Sequence, residues 1–95
     1  MTTTYICVQW IHRHSDYPVQ LYSELDEHRF EVRKVEVSRD GRMSFAGERS
    51  QSGDTRLTTE PIPSFAEIAS DKHFSPREIS VAEFEAVWSA AINQL

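Results

Sequence analysis

The sequence predicts an α+β domain: an antiparallel sheet of four to five strands with a C-terminal α-helix packed on one face. Three observations predict it. "YICVQWI" and "VQLYSEL" are short runs rich in β-branched and aromatic residues. "RFEVRKVEVSRDGRMSF" alternates apolar and polar residues on both sides of Asp40-Gly41. From Ser80 onward the apolar period changes from two to about 3.6, behind a helix-capping signature.

The chain has 95 residues and reads as one domain, residues 1–95. That length supports a modest core, burying somewhat more than about 60% of the unfolded surface. "YICVQWI" is the first strand. Ile6, Val8 and Trp10 fall on one face; Tyr5, Cys7, Gln9 and Ile11 fall on the other. Neither face is wholly polar, which suits an internal strand. His12–Pro18 is a polar connector. "VQLYSEL" is the second strand, with Val19 and Leu21 expected inward and Gln20 and Tyr22 outward. "LDEH" is a charged turn.

The third strand slips in phase. Phe30 and Val32 lie on one alternation, Val35 and Val37 on the other, and a strand of period two cannot bury both sets. A two-residue loop at Asp40-Gly41 would set Val37 against Ser44. A three-residue loop, Arg39-Asp40-Gly41, with Gly41 in the left-handed region, sets Val37 against Met43 and Val35 against Phe45. Four apolar side chains then share a surface. At about 1.5–3 kcal/mol for each large side chain buried, that outweighs preferences between turn types. The upstream slip calls for a β-bulge near Arg33-Lys34, turning both cations outward together. Otherwise the strand crosses between cores, or Phe30 faces a partner.

Gly47–Gly53 reads as a mobile polar loop, and "TRLTT" as a short edge strand. Ser64 and Glu67 have capping-box spacing before a short helix containing Phe65, Ile68 and Ala69. Ser75-Pro76-Arg77-Glu78 repeats that signature and predicts a further helical turn. Ser80 and Glu83 form the third capping box, with Ile79 and Phe84 at the hydrophobic-staple positions. The helix Val81–Gln94 then carries Val81, Phe84, Trp88, Ala91, Ile92 and Leu95 on one stripe.

Net charge is −5, with hydrophobic content 39% and charged content 26%. An acidic chain lacks the basic face of a general nucleic-acid binder. Asp16, Glu24, Asp26, Glu27 and Glu31 against Arg29 make one acidic region; Arg33, Lys34, Arg39 and Arg42 make the following hairpin mildly basic. A single cysteine, Cys7, excludes an internal disulfide. No apolar run is long enough to cross a bilayer, and the first residues lack a signal-peptide pattern. The expected location is the cytoplasm, with no membrane partner.

His12 and His14 share one side of an extended strand, a spacing that suits metal ligands. A zinc site needs three or four ligands, and no third is placed by spacing, so no metal and no cofactor are expected. Cys7 reads as a packing residue, because nothing nearby supplies a base. Glu24 and Asp26 have the chemistry of an acid–base pair but sit in a charged turn. Phosphate loops, nucleophile elbows and zincin motifs are missing. Tyr5, Tyr22 and Ile11, on the sheet face away from the helix, are the residue types in which binding surfaces are enriched.

"LYSELDEHRFEVRKVEVSRDGR" and "REISVAEFEAVW" together resemble a family of small bacterial single-domain proteins, a domain of unknown function. The similarity extends from Tyr5 to about Trp88 and leaves His12, His14 and Cys7 outside the shared pattern. It implies one compact domain and assigns no catalytic residue. By size and charge such proteins look like antitoxin or immunity components.

The expected function is therefore protein binding, with Tyr22, Glu24, Asp26, Glu27 and Arg33 as contact residues and a more basic protein, such as a toxin, as partner. The competing expectation is a small enzyme that gathers His12, His14, Glu24 and Arg33 in one pocket.

Overall fold

The computed structural model describes residues 2–94. Five strands form one antiparallel sheet: β1 (Thr4–Trp10), β2 (Gln20–Leu25), β3 (Glu31–Val37), β4 (Met43–Ala46) and β5 (Phe74–Glu78). Their spatial order is β4-β3-β2-β1-β5, so β1 is internal. Two helices complete the fold, α1 (Phe65–Ala69) and α2 (Val81–Asn93). The expected α+β architecture is present, with the C-terminal helix on one face of the sheet.

The β3–β4 hairpin adopts the register that buries four apolar side chains. Val37 pairs with Met43 and Val35 with Phe45, and Gly41 has φ +90°. That side of the sheet carries Cys7, Tyr22, Val35 and Phe45 against Phe84 and Ala91 of α2. Phe84 is fully buried, and Phe45 meets Trp88 edge to face at 5.2 Å. Ser80 caps α2 by accepting from the Glu83 amide at 3.1 Å, and Ile79 is buried beside Phe84 as the staple requires. Val81 and Ile92 are exposed, and Val87 packs inward instead, so the buried stripe is narrower and rotated from the expected one. Leu95 lies outside the described residues.

The second face is covered too. Ile6, Val8 and Leu25 form a smaller core against Leu21, Ile62, Ile68 and Phe74. Its cover is α1, capped by Ser64, and the irregular segment before it. This overturns the expected open sheet face. Tyr22 points toward α2 and is 8% exposed, while Leu21 points to the second core. Both phases of β2 are inward because both faces of the sheet are roofed.

Two elements differ from expectation. Thr55–Thr59 forms no strand; buried Thr55 instead donates to Glu36 at 2.7 Å and shares a hydrogen bond with Ser44. Ser75–Glu78 is not helical but belongs to β5, where Pro76 faces Val8. An edge strand accepts proline because it need not donate on its open side. The "GERSQSG" segment turns back on β4: Ala46 bridges Gln51, and the Ser52 amide donates to the Phe45 carbonyl at 2.8 Å.

Candidate functional site

The phase slip on β3 organises the polar chemistry of the molecule. Arg33 pairs with Glu24, but Leu25 pairs with Glu31, so Val32 is the extra residue of a bulge. The bulge therefore lies one residue before the expected Arg33-Lys34 position. Its consequence also differs. Arg33 and Lys34 are not turned outward together but point to opposite faces, each toward carboxylates.

On the α2 face, Arg33 is held at 2.6 Å (Nε to Glu24 Oε1) and 3.2 Å (Nη2 to Glu24 Oε2), and it also donates to Glu85. Tyr5 donates its hydroxyl to the same Glu24 at 2.9 Å. The guanidinium lies over Phe84 and Trp88, 4.9 and 5.1 Å from the ring centroids. The Arg33 hydrogen bonds hold the Glu24 carboxyl below the usual range, against the opposing effect of burial. Burial first, then Glu24, raises the Tyr5 hydroxyl. This cluster locks the N-terminal half of α2 onto the sheet. Glu24 thus lies in β2 rather than in the acidic turn, and both it and Arg33 are engaged inside the chain.

The turn itself is built by Asp26. Its Oδ1 accepts from the amides of His28 (2.9 Å) and Phe30 (3.0 Å). Glu27 is exposed. Arg29 adopts φ +69° and reaches across to the second face, where Nε donates to the Ile62 carbonyl at 3.0 Å and Nη2 to the Pro63 carbonyl at 2.7 Å. Phe30 and Val32 remain outside both cores, each 39% exposed. β4 pairs only with Lys34–Val37, so this half of β3 has no β4 neighbour.

On the second face the sheet, α1 and the segment before it border an open cavity of about 440 Å³. Ile6, Val8, Leu21, Ile62, Ile68 and Phe74 form its apolar wall. Ser23, Glu31 and Lys34 supply a polar side. The Glu31 side chain is only 2% exposed. It accepts from Ser23 Oγ (3.0 Å) and the Thr58 amide (2.9 Å) and pairs with Lys34 Nζ (3.2 Å). Among the described residues, no buried side-chain nitrogen or oxygen lacks a hydrogen-bond partner. A largely apolar cavity with a few convergent polar groups is the common form of a small-molecule site.

His12, His14, Glu24 and Arg33 do not converge. Glu24 pairs with Tyr5 near the start of β1, whereas His12 follows its end. Seven strand positions separate Tyr5 from His12, roughly 20 Å at the usual rise. His12 Nε2 is 2.7 Å from the Pro18 carbonyl, and its ring meets Trp10 at 4.6 Å. His14 packs on Tyr17, itself stacked on Trp10 at 5.5 Å. No group of three or more potential metal ligands occurs among the described residues. Cys7 is buried, and burial raises its thiol pKa.

Sequence reasoning missed the roles of Ser23, Glu31 and Lys34. The available signal was the slip itself: a bulge between positions three apart places both on one face.

Neither a curated protein nor a solved structure matches the chain. A family model matches nearly the whole fold just described, from the start of β1 to the end of α2. On residues 4–93 the chain belongs to the family described as a domain of unknown function, DUF6881.

Proposed function

We propose that this is a protein-binding domain that engages a more basic protein, in the manner of a cytoplasmic bacterial immunity or antitoxin component. The observation that carries the reading is the outward position of Phe30 and Val32 immediately after the acidic turn Asp26–Glu27. Apolar anchors next to like-signed charges give both contact area and steering. Net charge of −5 favours a basic partner and disfavours nucleic acid. Tyr22, Glu24 and Arg33 serve this surface from within, by holding β2, β3 and α2 in place. Phe30 and Val32 replace Tyr22 as the anchor residues, and Glu27 is the steering charge.

The test begins with capture of the partner from the source cell, followed by surface binding kinetics. Glu27→Lys is expected to slow association at low salt, with the difference from wild type shrinking as salt rises. Phe30→Ser is expected to raise the dissociation rate and weaken binding by about 2 kcal/mol. Wild-type kinetics for both variants overturn the reading.

A further inference from the structure

We propose that the cavity on the second face binds an amphiphilic organic cation: an apolar body inside, with a protonated amine at the rim. The site is separate from the Phe30–Val32 surface and does not depend on protein binding.

Size and wall chemistry set the body of the ligand. At about 30 Å³ per water-sized atom, 440 Å³ holds on the order of 12–15 heavy atoms. The wall of Ile6, Val8, Leu21, Ile62, Ile68 and Phe74 offers no polar side chain to such a body. Burying aliphatic surface against it is favourable at about 25 cal/mol per Å².

Charge sets the head group. Three carboxylates line the cavity, Glu31, Glu67 and Asp71, against the one ammonium of Lys34. Lys34 is committed to Glu31 and to the Arg56 carbonyl at 3.1 Å. Glu67 and Asp71 are exposed on and just after α1, at the rim. The hydrogen bonds they accept from neighbouring side chains fall on Glu67 Oε1, from Ser64, and Asp71 Oδ1, from His73. Their other oxygens, Oε2 and Oδ2, accept no side-chain hydrogen bond among the described residues. An entering anion meets two carboxylates in excess; an entering ammonium finds acceptors for its N–H groups.

The experiment titrates the full chain with octylammonium, octanoate and 1-octanol, each below its micelle concentration, and follows methyl resonances by NMR. Octylammonium is expected to shift Ile6, Val8, Ile62 and Ile68 while leaving Val35 and Val37 of the other core unmoved. It should bind at least about tenfold more tightly than octanoate, the scale of one charge-assisted contact. The variant Glu67→Gln/Asp71→Asn keeps the Ser64 cap and the turn at His73. It should lose most of that preference while binding 1-octanol as wild type does. Absence of shifts at the cavity methyls overturns the site. Octanoate binding equal to or tighter than octylammonium, or an unchanged preference in the double variant, overturns the cationic head group.

Discussion

Glu31 and Lys34 lie three positions apart on β3, yet their side chains meet on one face of the sheet, 3.2 Å from Oε1 to Nζ. A regular strand sends such positions to opposite faces. The bulge at Val32 cancels the odd spacing and hides the carboxylate, with its charge compensated. Breaking this pair should be costly. Glu31→Leu is expected to lose about 3–5 kcal/mol, because a largely buried ammonium is left without its counter-charge. Adding Lys34→Met should recover part of that loss, with a coupling of about 1–3 kcal/mol in the double-mutant cycle. Urea unfolding measures both; additive losses would show that the two residues act independently.

Glu24 predicts the acid limb of stability. Its carboxyl is held below the ordinary value of 4.5, first by the Arg33 hydrogen bonds. The unfolded chain therefore takes up the proton before the folded chain does. The stabilisation is fully present above the unfolded value, begins to fade near pH 4.5, and is lost as pH falls through the lower folded value. Glu24→Gln should cost about 1.5–3 kcal/mol at pH 7, and its stability curve should converge on wild type as pH falls. Parallel curves down to strongly acid pH would exclude the linkage.

Ser80 begins α2 by accepting from the Glu83 amide. Ser80→Ala should lower stability by about 1 kcal/mol, and Ser80→Asp should retain most of it. Thermal unfolding of the pair distinguishes a cap from a surface serine, for which both changes would be neutral.

Gly41 tests the hairpin. A Cβ built there meets nothing within 4 Å, so Gly41→Ala carries only the backbone penalty of φ +90°. That penalty is about 1–2 kcal/mol, and smaller for Gly41→Asn. Equal stability of the alanine variant would mean that the turn relaxes to another form.

The hairpin and α2 were legible because several local signals agreed. Val35, Val37, Met43 and Phe45 leave one register that buries them all, and Ser80, Glu83, Ile79 and Phe84 fix one helix start. The second face was not legible. Its cover consists of a five-residue helix and an irregular segment, in which Thr55, Ile62 and Ile68 are inward without any period. With that cover hidden from a sequence pattern, Tyr22 falls on an apparently open face and the Ser-Pro start of β5 mimics a helical turn. The candidate site suffered most, because Ser23, Glu31 and Lys34 come together only through the displaced register of one strand.

Arg29 gives the roof of the cavity a mechanical character. A residue with a side chain held at φ +69° carries about 1–2 kcal/mol of backbone strain. Its carbonyl accepts the Ile62 amide at 2.8 Å, and its guanidinium grips the carbonyls of Ile62 and Pro63. These three bonds latch the roof segment to the turn. The backbone angle itself is set within the turn, where the Arg29 amide donates to the Asp26 carbonyl at 2.9 Å and the Asp26 amide to the Phe30 carbonyl at 3.0 Å, so the strain does not depend on the latch. Arg29 is therefore a rigid hook: the turn holds it at a fixed angle, and the roof hangs from it.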